Sequence, residues 1–353
     1  MRRTAFAACL LALAGFAQAR APQIRIEPGL VAVGAIRDAA QGIDYESVSM
    51  VIAVSDTGIH TSSQWSVPDA KAPSGVQVRK AESFTRAEDL QKARRIILSH
   101  LSSDPDTMPG TTQVRPSAEL FDEIKRTGEA QIVLGAVSAR DGNMLGGLFA
   151  GRKYFRGTLR RIGFENVRVL VDGVPELLPA LHVKGTLAVG DDQGEAEFWW
   201  LDDAQAPIAL KAGFQGSVSQ TVRINRPGKE ALQDRLTGEH CRSEVPGIYF
   251  LTNSAQLLEA SRPAVERIAA LLRVRQEWIV TLEGHTDNIG GDAANLDLSR
   301  RRAEALKSDL ASRYGIAPNR LRTAGYGSKH PLDSNATIEG RARNRRVEVS
   351  RPC

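Results

Sequence analysis

Aromatic residues make up only 5% of this 353-residue chain. A transmembrane β-barrel needs long alternating strands and two aromatic girdles, so that architecture has little to build on here. Beyond the first twenty residues no apolar run is long enough to cross a bilayer as a helix. The scattered histidines His100, His182, His240, His285 and His330 show no metal-ligand spacing with cysteine or with each other. There is no Walker motif and no Gly-x-Ser-x-Gly elbow. The acids between positions 287 and 297 lack the order of a calcium loop. No internal repeat or low-complexity tract is visible. These absences remove the common routes to phosphate, hydrolytic and metal chemistry, and no cofactor is implied.

What remains is an ordinary globular composition, 42% hydrophobic and 25% charged, with length for two or three domains. Arg2 and Arg3, an apolar stretch over 5–16 and Ala17-Gln18-Ala19 read as a signal peptide cleaved after Ala19. Its removal takes Cys9 and leaves 44 basic against 41 acidic residues. The balance is uneven: residues 241–353 hold 18 basic and 13 acidic residues, and the rest of the mature chain is slightly acidic. In a secreted chain such a local basic excess points to anionic envelope polymers, not to nucleic acid. Two cysteines remain, Cys241 and Cys353, at the two ends of one region. An oxidising compartment permits an internal disulfide, which is favoured; free thiols or pairing with another chain are the alternatives.

The pattern over 20–226 predicts a β-rich domain, with a linker over 227–242 and a second domain over 243–353. Strands are expected at 154–161, 167–171, 181–189, 196–201, 208–212 and 218–224, punctuated by Gly, Asp and Pro. Two helices interrupt the first half. One is expected over 85–99, opened by a Thr85-x-x-Glu88 capping box. The other is expected over 117–126, ending at Gly128. Strand alternation predicts one ring of Trp199-Trp200 in the core and the other on the surface.

The second domain reads strand, helix, strand, helix, strand, strand. Strands are expected at 247–251, 279–283, 321–325 and 346–350. One helix is capped by Ser261 with Pro263 in its first turn. The other spans 293–314 and stops at Gly315. On that second helix Ala303, Leu306 and Leu310 mark the buried stripe. Arg302 lies at its edge, while Arg300 and Arg301 rotate toward solvent. An arginine at a core edge needs an acidic partner or an anionic ligand, and Asp287 is placed to share its pocket. From spacing alone, a salt bridge that only stabilises the fold explains the pair as well as a ligand does.

Longer motifs tip that balance. Thr286, Asp287, Gly290, Asn295, Leu298, Ser299, Arg302 and Ala303 complete the pattern TDxxGxxxxNxxLSxxRA, and residues 340–347 match GRAxNRRV. Over about 110 residues the chain resembles the OmpA-like domain of outer-membrane proteins, peptidoglycan-associated lipoproteins and flagellar stator proteins. With the β-rich first domain read above, the resemblance implies an α+β fold overall, its second domain a β-α-β-α-β-β sandwich of helices on a mixed sheet. It implies non-covalent binding of peptidoglycan through the diaminopimelate of its stem peptides. Asp287 would then take the ammonium and Arg302 the carboxylate, which a planar fork grips better than a lysine. The resemblance adds Arg345, Thr252, Asn253 and Thr286 to the site, with Asn295 bracing the loop or touching the ligand. Leu251 stands where the family often has an acid, and Gly325-Tyr326-Gly327-Ser328 departs from its usual GYGE.

The expected protein is therefore a periplasmic, wall-associated binding protein without a transmembrane helix, and not an enzyme. Its first domain would tether or space an outer-membrane or periplasmic protein partner. Two alternatives differ in class. One is a wall-directed enzyme whose second domain does the targeting. The other is a subunit of an envelope-spanning secretion or motility apparatus.

Overall fold

The computed structural model describes residues 24–38, 43–68, 76–98, 108–136, 153–228, 236 and 241–353. The signal peptide expected over 1–19, His100 and His240 lie outside them.

Among the described residues twelve strands build one large sheet. They are β1 (Val31–Asp38), β2 (Ile43–Val54), β3 (Gly58–Pro68), β4 (Val76–Arg86), β5 (Arg95–Ile97) and β6 (Thr111–Gln113). Then come β7 (Glu129–Ala136), β8 (Lys153–Val171), β9 (Val174–Val189), β10 (Asp192–Leu201), β11 (Ala209–Phe214) and β12 (Ser217–Asn225). Their order is β4-β3-β2-β1-β12-β11-β10-β9-β8-β7-β5-β6. A further parallel pairing of β12 with β8, at Arg223↔Leu170 and Ile224↔Val171, closes β8 to β12 into a ring.

Period-two patterning drives this sheet. On β10, Ala196, Phe198 and Trp200 face a core shared with Phe155, Leu159, Val183 and Phe214. Trp199 and Leu201 face a second core with Val167, Val169, Leu178 and Ile224. The expectation of one surface tryptophan is therefore corrected. Alternation holds, but both faces are covered and both rings are buried. Trp199 stacks on His182, with ring centroids 4.2 Å apart, and Lys211 Nζ sits 4.4 Å from its ring centroid on β11.

Two further expectations fail locally. The strands expected at 154–161 and 167–171 are one strand, because the intervening Gly163–Asn166 segment stays paired to β9 across a bulge. The helix expected over 85–99 shrinks to α1 (Ala87–Lys92). Thr85 lies inside β4, paired with Ile59, so it cannot cap, and Ile96 and Ile97 are buried in β5. Tertiary pairing overrides the helical spacing there. By contrast, α2 (Ala118–Thr127) is capped by the Ser117 side chain, which accepts from Leu120 N–H, and ends at left-handed Gly128.

The second sheet has order β13-β16-β14-β15, from β13 (Arg242–Glu244), β14 (Val280–His285), β15 (Leu321–Gly327) and β16 (Val347–Ser350). β14 runs parallel to β15 and antiparallel to β16, so the sheet is mixed. Helices α3 (Arg262–Val274) and α4 (Asp292–Tyr314) pack on one face. Val265, Ile268, Ala269, Leu272, Ala303, Leu306 and Leu310 meet Val280, Leu282, Leu321 and Val349 in a single core. A short α5 (Ile338–Asn344), capped by the Thr337 side chain, precedes the last strand, where the sequence pattern predicts no helix. The first strand lies at 242–244, not at 247–251, where Phe250 makes only an isolated bridge to Leu257. Ser261 does not cap α3: its hydroxyl accepts from Tyr249 N–H and donates to Tyr249 C=O, pinning the loop instead.

The disulfide between Cys241 and Cys353 is formed. Leu236, inside the expected linker, is buried in the core between α3, α4 and the four-stranded sheet, so that residue packs as structure. The two sheets also share a core. Val31, Val33, Ala35, Val48 and Val222 pack on Tyr249, Leu251, Leu258, Ala260 and Ala342.

Candidate functional site

Two glycines set the position of the site. A Cβ on Gly284 would lie 2.2 Å from Ser299 O, and one on Gly325 would lie 2.4 Å from Arg300 N. Only the bare backbone of β14 and β15 lets α4 lie this close, and that approach holds Arg302 over the loop at 251–254. Arg302 Nε donates to Ser254 C=O at 3.0 Å and Nη2 to Leu251 C=O at 3.2 Å. Its guanidinium carbon lies 5.0 Å from the Phe250 ring centroid. Its third nitrogen, Nη1, bonds no described residue. Burial pushes this guanidinium down to about 10, so it is still charged at neutral pH.

Asp287 stands at the exit of β14. Its Oδ1 accepts from Ile289 N–H at 2.9 Å, and its Oδ2 accepts from Arg345 Nη1. The Asp287–Arg302 pair expected from spacing is thus corrected in detail. The two share an electrostatic neighbourhood, but the direct ionic partner of Asp287 is Arg345, delivered by the end of α5. The motif spacing could not show this, because Arg302's fork is spent on loop carbonyls.

Asn295 braces the loop: its Nδ2 donates to Asp287 C=O at 3.2 Å and to Ile289 C=O at 3.0 Å. Thr286 is buried, with N–H to Gly327 C=O and hydroxyl to Asp287 C=O, both 2.9 Å. Asn253 is exposed with a left-handed φ of 54°. Thr252 accepts from Glu46 N–H at 3.3 Å. Arg300 and Arg301 face solvent as expected, Arg301 pairing with Asp297 at 2.8 Å.

Sequence reasoning missed Glu46 entirely. This β2 residue accepts from Arg345 Nε at 3.1 Å and from Nη2 as well. Burial pushes the Glu46 carboxyl up, but the charges of Arg345, Arg223 and Arg302 outweigh that and hold it below the ordinary range. Burial opposes the charge on Arg345 too, yet Glu46 and Asp287 together raise its guanidinium above its usual value. A lone acid in an alternating strand carries no sequence signal for this role.

On the sheet face away from the helices lies a second polar cluster. Potential metal-ligand atoms of Glu283, His285 and Glu348 all fall within 4.8 Å of one another. Arginines already answer both carboxylates. Arg242 reaches Glu283 at 3.1 Å and Glu348 at 3.6 Å, and Arg346 bonds Glu348 at 2.5 Å. Burial pushes His285 down to about 4, so it stays neutral. Two cations beside two carboxylates make this a charge-compensated network and disfavour a divalent ion.

Two helices on a mixed sheet thus bring Asp287, Arg302 and Arg345 together at the exit of β14. The chain belongs to the OmpA family, whose model matches residues 249–345. Outer membrane protein A of Bordetella avium is 42% identical over 156 residues, 44% of this chain and 76% of that protein. Outer membrane porin F of Pseudomonas aeruginosa is 40% identical over 102 residues, 29% of each chain. Peptidoglycan-binding protein ArfA of Mycobacterium bovis is 41% identical over 102 residues, 29% of this chain and 31% of that protein. The chain thus spans under a third of the length of these last two relatives.

Proposed function

We propose that the domain expected over 243–353 binds peptidoglycan through the diaminopimelate of its stem peptides, and so tethers the β-rich domain expected over 20–226 to the cell wall. The observation that carries this reading is the convergence of one carboxylate, Asp287, with two guanidiniums, Arg302 and Arg345, at one strand exit. The diaminopimelate side chain ends in an ammonium and a carboxylate on one carbon. Such a zwitterion needs a fixed anion and a fixed planar cation a few ångströms apart. Asp287 serves the ammonium. Arg302, through Nη1, which bonds none of the described residues, and Arg345 serve the carboxylate. Membership of the OmpA family and the peptidoglycan-binding relative support the ligand. The outer-membrane relatives support a place in the periplasm, cell-wall associated. Among the described residues no helix is long and apolar enough to cross a membrane.

Affinity at a single site is modest, and a polymer of repeated stems retains the protein by rebinding. The test is co-sedimentation of the purified chain with isolated sacculi, beside folded Asp287→Ala and Arg302→Ala variants. Loss of pelleting in both variants supports the reading. A wild-type chain that stays in the supernatant refutes it, unless removal of Glu46, treated next, restores pelleting.

A further inference from the structure

The pocket just described is not empty of protein. Arg345 turns one edge, Nη1, to Asp287 and the other, Nε and Nη2, to Oε1 of Glu46. A side-on grip of a carboxylate oxygen through Nε and Nη2 is what this arginine would offer an incoming ligand carboxylate. The same strand consumes a second site residue. Glu46 N–H donates to Thr252 Oγ1 at 3.3 Å, and Ser66 on β3 donates to Thr252 C=O at 3.4 Å. Glu46 also faces Arg223 and Arg302, so its charge is answered by three arginines around one point.

Glu46 is held there by more than its own side chain. The shared core of Val31, Val33, Ala35 and Val48 against Tyr249, Leu251 and Ala342 fixes β1 and β2 over the loop at 249–260. Polar contacts frame it: Tyr249 Oη to Asn225 at 2.6 Å, Gln220 to Glu339 at 2.6 Å, and Arg168 to Asp333 at 2.5 Å. Arg223 donates to the carbonyls of Ala342 and Arg345, clamping the end of α5 that carries Arg345.

Resting on the wall-binding reading, we propose that Glu46 is a built-in occupant of the carboxylate half of the site. The β-rich domain holds that half closed, and a stem-peptide carboxylate binds by displacing Glu46 from Arg345. Two carboxylates cannot share that edge of one guanidinium without repulsion, so occupancy by Glu46 and by ligand exclude each other. The apparent dissociation constant is then the intrinsic one divided by the open fraction. If Glu46 keeps the site closed nine-tenths of the time or more, removing it strengthens binding by about tenfold or more.

The experiment uses the full chain. Wild type, Glu46→Ala, Glu46→Gln and Gln220→Ala are titrated against isolated sacculi by co-sedimentation and against free diaminopimelate by calorimetry. Gln220→Ala loosens the same interface without touching Arg345. The expected result is an apparent Kd lowered about tenfold or more in Glu46→Ala, and by smaller factors in Glu46→Gln and in Gln220→Ala, which only loosens the hold on Glu46. The near-isosteric Glu46→Gln variant carries the test if the alanine variant does not fold. Wild-type binding with no gain on either Glu46 substitution overturns the occlusion and leaves the wall-binding reading standing. Weaker binding in those variants also overturns it, and makes Glu46 a ligand contact for the ammonium. If no variant binds, a folded Glu46→Ala included, the wall-binding reading falls and the occlusion falls with it. Hydrogen exchange gives an independent check: adding diaminopimelate to wild type should speed exchange at the Glu46 amide, and an unchanged rate argues against displacement.

Discussion

Replacing Arg302 with lysine keeps the charge and removes the fork. In the native site Nε holds Ser254 C=O and Nη2 holds Leu251 C=O, with the guanidinium over the Phe250 ring. An ammonium can satisfy one of those carbonyls, not both, and it cannot lie flat on the ring. Losing one hydrogen bond to a charged group costs about 1.5–3 kcal/mol. The loop at 251–254 is therefore less firmly held. The ligand loses twice, because Thr252 lies in that loop and because the Nη1 that would face its carboxylate is gone. A further 1.4–2.8 kcal/mol off binding corresponds to about 10- to 100-fold in Kd. Urea unfolding should show a midpoint lowered in proportion to the lost bond with an unchanged slope. Sacculus co-sedimentation should show the larger, separate loss of binding. Equal binding by Arg302→Lys and wild type would refute the planar-fork argument. Equal stability as well would show that the two loop carbonyls do not depend on it.

Two other outcomes follow from the second domain. The bridge between Cys241 and Cys353 spans 112 residues, so the chain-entropy model gives roughly 4–5 kcal/mol at most. Denaturation with and without reductant should show a clear fall in midpoint, and an unchanged midpoint would contradict the role. His285 is held down to about 4 by burial, against an ordinary value of 6.5, so the unfolded chain binds its proton first. The stability linked to it is present above pH 6.5 and is lost as pH falls through that window toward 4. It amounts to about 3 kcal/mol as an order of magnitude. A pH series of unfolding curves on wild type and His285→Asn should show that slope flattened in the variant.

Much of the fold is legible in local pattern. Ser117 and Gly128 bound α2 because capping chemistry acts within four residues. Gly315 ends α4 for the same reason. Failures occur where a distant partner decides. Thr85 looks like a cap, but it pairs with Ile59, and Ile97 looks helical, but it joins a parallel ladder with Gln113 and Gly135. Ser261 looks like a cap, but Tyr249 claims its hydroxyl.

The site divides along the same line. Sequence by itself determined which residue types gather: Asp287 after its strand, Arg302 on the edge of the α4 stripe, Asn295 over the loop, Arg345 near the end of the chain. Motif spacing encodes the first three because each lies within one element or one short turn of its neighbour, while Arg345 comes only with the family resemblance carried by GRAxNRRV. Tertiary structure alone decided how their charges pair. Arg302 answers to loop carbonyls some fifty positions away, Arg345 reaches Asp287 from the neighbouring strand's entry, and Glu46 arrives from nearly three hundred residues before Arg345. Ion pairs form between whichever charges packing brings within a few ångströms. That packing is set by the apolar surface of β1, β2 and β12 against the loop at 249–260, and no charged residue announces it in the sequence.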